Sequence, residues 1–136
     1  MATWCVGCPG DVQMQPVSVV LVDDDPQILG AVARILRELP VALRVASSAR
    51  EALRQIEERV PALVISDLRM PEMDGIELLA QVRDRFPGVR CVLHTGEAPE
   101  MTRHLGLQVL TKPCLPSALS ELVLSLGEPA SPPTKP

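Results

Sequence analysis

Apolar residues fall into short runs separated by longer stretches in which they recur every three or four positions. Val17–Val22 reads VSVVLV, a β-branched run that predicts a buried strand. Asp25 is placed to cap the helix that follows, and Pro26 suits its first position. On that helix Ile28, Leu29, Val32, Ile35, Leu36 and Leu39 share one face, and Pro40 ends it. Val41–Ala46 is the second strand. Ser48 and Glu51 have capping-box spacing before a helix that buries Ala49, Ala52, Leu53 and Ile56 and stops before Pro61. Ala62–Ser66 is the third strand and leads into Asp67. A third helix runs from about Gly75 to Phe86, with Leu78, Leu79, Val82 and Phe86 inward. Val89–His94 is the fourth strand. A short helix of one or two turns is expected within Glu97–Leu105, then a fifth strand at Leu107–Thr111. Leu115, Leu119, Leu122, Val123 and Leu126 mark the last helix.

Five strands alternating with five helices imply an α/β fold, a doubly wound parallel sheet with right-handed crossovers and helices on both faces. Residues 1–16, rich in Gly and Pro, read as a flexible leader, 17–126 as one domain and 127–136 as a disordered Pro-rich tail. The 136 residues suffice for one core. Aromatics amount to 1%, so that core must be built from Val, Leu, Ile and Ala.

Formal net charge is −4, with no basic run, which argues against direct nucleic-acid binding. No stretch has the roughly 20 apolar residues of a membrane span, and no secretory signal is seen. The expectation is a cytoplasmic protein. Cys5 and Cys8 form a C-x-x-C, but ahead of the first strand instead of between a strand and a helix. Neither Cys91 nor Cys114 supplies an evident zinc partner, so the pair is read as incidental. His94 and His104 show no metal-ligand spacing and are read as structural. Met70 and Met73 are read as cover for a hydrophobic edge.

In a parallel sheet the C-terminal strand ends share one rim. Here that rim receives Asp23, Asp24 and Asp25 after the first strand, Asp67 after the third, Thr95 after the fourth and Lys112 after the fifth. Singly, each has a plainer explanation as a helix cap, a turn former or a solvated loop lysine. Jointly they form an inventory for phosphoryl chemistry. Crowded carboxylates repel unless a cation joins them. A hard divalent ion, Mg²⁺ first, suits carboxylate ligands and phosphate oxygens. A lysine and a hydroxyl serve the remaining phosphoryl oxygens, and one carboxylate can act as nucleophile.

Four stretches carry a resemblance: LVDDDP at 21–26, SDLRMPEMDG at 66–75, HTG at 94–96 and TKP at 111–113. From Val17 to Leu126 the chain resembles the receiver domain of bacterial two-component response regulators. The resemblance implies the flavodoxin-like strand order 2-1-3-4-5, which periodicity alone does not supply. It implies that Asp67 accepts a phosphoryl group from a sensor histidine kinase or a histidine phosphotransfer protein. Asp24, Asp67 and the Arg69 backbone carbonyl would ligate Mg²⁺, with Asp23 acting through water. Thr95 would bond a phosphoryl oxygen and Lys112 would pair with the phosphoryl group. A cis Lys112–Pro113 peptide is expected, and Asp25 has no role beyond capping.

Three departures stand out. Val109 occupies a position usually held by a switching aromatic. The interval from Thr95 to Lys112 is short, which trims the fourth helix. Cys114 replaces the usual aromatic after Lys112–Pro113. With no output domain in view, the expectation is a stand-alone or excised receiver that signals by binding an unidentified protein partner or by phosphorelay. Arg69 and Glu97 occupy variable positions flanking the pocket, where their opposite charges are expected to pair and slow water entry. Two rivals remain. One is a phosphorylation-independent interaction module of the same fold. The other is a haloacid-dehalogenase-type phosphohydrolase, for which 113–136 offers only Glu121 and Glu128 as the required late acidic residues.

Overall fold

In a computed structural model of the chain, residues 16–96, 107–113 and 115–126 are described. Residues 1–15 of the leader, the fourth-helix segment, Glu97, His104, Cys5, Cys8, Cys114 and the tail lie outside them. The elements are β1 (Val17–Val22), α1 (Pro26–Leu36), β2 (Val41–Ala46), α2 (Ala49–Glu58), β3 (Leu63–Asp67), α3 (Gly75–Arg85), β4 (Arg90–Thr95), β5 (Gln108–Thr111) and α4 (Pro116–Leu126). All strand pairs are parallel, in the order β2-β1-β3-β4-β5. The doubly wound sheet and its order are as expected from the sequence.

Alternation within the apolar runs divides the core into two layers. Val19, Leu21, Leu63, Ile65 and Val92 meet Val32, Ala33 and Leu36 of α1 and Leu119, Leu122 and Val123 of α4. Val20, Val22, Val64 and Leu93 meet Ala49, Ala52 and Ile56 of α2 and Leu78, Leu79 and Val82 of α3. Every residue of β3 is buried, because this central strand is covered on both faces. Met70, Met73 and Val109 pack at the margin of the second layer. Phe86 does so too, with the Arg85 guanidinium 5.2 Å from its ring centroid.

Asp25 and Ser48 cap their helices as anticipated, and Asp74 adds a cap that the sequence reading did not name. Asp25 caps α1 by accepting from the Gln27 N–H at 2.9 Å, and Asp74 caps α3 by accepting from the Glu77 N–H at 2.9 Å. Ser48 accepts from the Glu51 N–H at 3.1 Å, but the Glu51 carboxylate reaches back to the Ser47 N–H instead of that of Ser48. The last turn of α2 has no basic residue of its own. Arg44, on the edge strand β2, supplies the charge by donating to the carbonyls of Gln55 and Arg59 at 2.8 and 2.7 Å.

Two strands run one residue further than expected. Asp67 pairs with His94, and Thr95 with Thr111, so Asp67 and Thr95 are the last residues of β3 and β4. Ladder hydrogen bonding therefore holds these polar residues, which the apolar pattern alone leaves in loops.

Gly75 makes the turn at the start of α3. A Cβ there would overlap the Asp67 carbonyl oxygen and approach Leu93 Cδ1 to 2.9 Å. Gly30, on the exposed side of α1, has nothing within 4 Å of a Cβ. Gly75→Ala is expected to cost about 1–3 kcal/mol through overpacking against backbone. Gly30→Ala is expected to add about 0.5–1 kcal/mol. Urea unfolding of the two variants beside wild type checks the pair, and equal effects would contradict the close approach at Gly75.

Candidate functional site

The strand order sets the site. β1 and β3 are neighbours, so the acidic end of β1 lies against Asp67, and β4 and β5 continue the same rim. Carboxylate oxygens of Asp23, Asp24 and Asp67 all lie within 4.8 Å of one another. Asp23 and Asp67 are buried, at 2% and 8% exposure, while Asp24 faces solvent. Lys112 reaches from the end of β5 across β4 and places Nζ 2.8 Å from Asp67 Oδ1 and 3.7 Å from Asp23 Oδ2. The Lys112 N–H donates to the Thr95 carbonyl at 3.0 Å, fixing the lysine's backbone to the end of β4. Thr95 is buried. The Lys112–Pro113 peptide is cis, as the sequence resemblance led us to expect.

The electrostatics follow from crowding. Burial raises the Asp23 carboxyl above its ordinary pKa. The Asp25 N–H, donating to Oδ1 at 2.9 Å, works against the rise, and the neighbouring Asp67 charge adds to it. Burial by itself would lower Lys112. The hydrogen bond and charge of Asp67, with Asp23 and Asp25 behind it, outweigh burial and leave Lys112 raised, so the ammonium stays charged.

Asp23 Oδ2 is buried without a hydrogen-bond partner among the described residues. A buried carboxylate oxygen in that state, beside two further carboxylates and a single ammonium, has the donor set of a hard cation site. Asp23, Asp24 and Asp67 therefore fit a divalent ion.

Sequence reasoning thus brought Asp23, Asp24, Asp67, Thr95 and Lys112 to one rim, and the structure does the same. Arg69 is exposed in the loop after β3, and Asp25 is engaged in capping. Gly75 was read only as the start of the third helix. A glycine opening a helix directly behind a strand-end aspartate was the available signal for its close approach.

The profile of the response regulator receiver domain family matches residues 19–124. The chain belongs to that family. Outside the family profile, the receiver is 36% identical over 114 residues to an uncharacterized 14.6 kDa protein of Leptolyngbya boryana, covering 79% of this chain and 87% of the relative. It is 34% identical over 125 residues to the transcriptional regulatory protein GlrR of Escherichia coli (strain K12), covering 88% of this chain but 28% of GlrR. Among solved structures it is similar to a CheY-like receiver domain protein from Methanospirillum hungatei JF-1. That likeness has a TM-score of 0.76 at 28% identity, covering 83% of this chain and 94% of the other. A signal receiver domain of an HD domain-containing protein from Pseudomonas fluorescens Pf-5 is likewise similar, with a TM-score of 0.75 at 29% identity over 85% of this chain and 89% of the other. No helix among the described residues of the receiver is long and apolar enough to cross a membrane.

His94 is 3% exposed, in register with Asp67, and its Nε2 has no partner among the described residues. Burial, then the Lys112 charge, pushes its pKa down to about 4, against a smaller opposing pull from Asp67. A folded-state pKa below the unfolded 6.5 means that the unfolded chain binds the extra proton first. Stability is therefore full above pH 6.5 and is lost as pH falls toward about 4, by about 3 kcal/mol for this residue. Asp23, with its raised pKa, acts in the opposite sense, so the wild-type slope alone does not isolate the histidine. The difference in unfolding free energy between wild type and His94→Leu across that window does. Parallel pH profiles for the two proteins would show that His94 is not held neutral.

Proposed function

We propose that this receiver domain accepts a phosphoryl group on Asp67 from the phosphohistidine of a sensor histidine kinase or a histidine phosphotransfer protein in the cytoplasm. The phosphorylated form then engages a downstream protein or passes the group on in a phosphorelay. The observation that carries the reading is the Lys112 ammonium 2.8 Å from Asp67 Oδ1, within the same carboxylate cluster.

In the transfer, an Asp67 carboxylate oxygen bonds to phosphorus while the phosphorus–nitrogen bond of the donor breaks, leaving an acyl phosphate and an imidazole. Asp23, Asp24, Asp67 and the Arg69 carbonyl are the groups to hold Mg²⁺, Asp23 acting through water. When bound, the ion neutralises the carboxylates and the phosphoryl oxygens. Lys112 draws the acceptor oxygen into place and pairs with the arriving charge. Thr95, at the end of β4, is the hydroxyl for a phosphoryl oxygen. We read the site as a phosphoacceptor that catalyses only its own phosphotransfer and dephosphorylation.

Val109 favours one alternative, a phosphorylation-independent module. It is partly buried at the margin of the second core layer and is not a ring that can swing between two positions.

Incubation with acetyl phosphate and Mg²⁺, followed by intact mass, tests the proposal. A single phosphoryl adduct is expected that requires Mg²⁺ and is absent from Asp67→Asn. Persistent lack of an adduct would favour the phosphorylation-independent module, and steady phosphate release without an adduct would favour a hydrolase. Lys112→Ala is expected to slow adduct formation by about two orders of magnitude, the usual scale for removing one preorganised donor. An unchanged rate would remove Lys112 from the chemistry.

A further inference from the structure

Ser66 is fully buried, yet it carries a hydroxyl within an otherwise apolar strand and takes no part in the carboxylate cluster. Its parity turns it toward the layer of α2 and α3, beside Val22 of β1 and Leu93 of β4. A buried hydroxyl is costly unless bonded, and an apolar side chain would fill such a position equally well. The Ser66 Oγ–H donates to the carbonyl oxygen of Asp67 at 2.9 Å.

The same peptide is confined from its other side. Gly75 at the start of α3 leaves no room for a Cβ against the Asp67 carbonyl. The Gly75 N–H donates to the next carbonyl, that of Leu68, at 2.8 Å. Two successive carbonyls after the candidate phosphoacceptor are thus held, one by the strand before it and one by the helix after it. The orientation of the Asp67 carbonyl fixes that residue's ψ, and ψ sets the direction in which the chain leaves toward Arg69. The φ and ψ of Leu68 lie between this carbonyl and the next, and the Gly75 N–H bond to the Leu68 carbonyl restrains them in turn.

We propose that Ser66 is a positioning residue for the metal site: its hydroxyl locks the Asp67–Arg69 segment so that the Arg69 carbonyl is presented toward Asp23, Asp24 and Asp67. The inference rests on the Mg²⁺ reading given under Proposed function. Ser66 touches neither ion nor phosphoryl group. Its loss acts on Mg²⁺ affinity, and the phosphorylation rate at saturating Mg²⁺ stays close to wild type.

The test is calorimetric titration of Mg²⁺ into wild type, Ser66→Ala and Ser66→Thr, with Val123→Ala as a variant destabilised in the opposite core layer. Ser66→Ala is expected to weaken Mg²⁺ about three- to tenfold, the scale of one hydrogen bond. Ser66→Thr, which keeps the hydroxyl, is expected to restore wild-type affinity. Val123→Ala is expected to lower the melting temperature without changing affinity. In acetyl phosphate kinetics Ser66→Ala is expected to raise the Mg²⁺ concentration for half-maximal rate and leave the maximal rate near wild type. Equal affinity in Ser66→Ala and wild type would overturn the proposal. So would equal weakening in Val123→Ala, which would make the effect one of general stability. Absence of Mg²⁺ binding by wild type would instead overturn the metal reading itself, and this inference with it.

Discussion

Three carboxylates share one rim with one ammonium, and that imbalance governs the structure around it. Asp23, Asp24 and Asp67 bring three carboxylates within 4.8 Å of one another, and among the described residues Lys112 is hydrogen-bonded to Asp67 at 2.8 Å and ion-paired with Asp23 at 3.7 Å. Two of the three are buried, where like charges repel most strongly. A fold optimised for stability alone would place apolar groups there. The arrangement persists because each charge is fixed by backbone that the rest of the fold holds rigid. Asp23 follows β1, Asp67 ends β3, and Lys112 is tied through its N–H to the last carbonyl of β4. The two apolar layers are the means of holding that backbone still. Among the described residues these layers include one aromatic hydrophobic side chain, Phe86 at the margin, so aliphatic interdigitation does the packing.

Much of this was legible in the sequence, for identifiable reasons. β1 and β3 are buried on both faces, so they read as continuous apolar runs, while α1 and α2 show clear apolar stripes. Asp25 and Ser48 each cap a helix through a side chain whose chemistry is local. What was not legible depends on contacts between distant segments. The ends of β3 and β4 extend through Asp67 and Thr95 because neighbouring strands pair with them, and pairing leaves no trace in hydropathy. Arg44 was unremarkable as a residue of an edge strand until its guanidinium was seen on the end of α2. The strand order itself came from family resemblance and not from periodicity.

The site was legible as a set of residue types at strand ends, but its interactions were not. Nothing in TKP says that Lys112 crosses β4 to reach Asp67, or that Asp23 Oδ2 has no hydrogen-bond partner among the described residues. His94 is the clearest case. Its lack of metal-ligand spacing suggested a structural residue, and it is buried as such a residue would be. Its cost arises only from the low-dielectric surroundings and the nearby Lys112 charge, which together hold the imidazole neutral. A sequence names the titratable group, whereas its proton affinity belongs to the neighbours.

Accepting a charge and transmitting its arrival are separate physical tasks, and this chain treats them differently. On the proposed reading, acceptance draws on the rim, where Asp23, Asp24 and Asp67 cluster and Lys112 reaches Asp67. Transmission needs an element with two arrangements whose balance the new charge alters. Val109 is β-branched, short and stiff about χ1, so it offers no second arrangement of the kind a ring provides. The element most directly exposed to a change at Asp67 is Lys112 itself. Its ammonium is bound to an Asp67 oxygen, so any group added there must share or displace that bond. Its backbone is joined to the end of β4 and continues through Pro113 toward α4. If Asp67 accepts a phosphoryl group as proposed, the change at its Oδ1 acts first on Lys112, whose backbone is held by the Thr95 carbonyl at the end of β4.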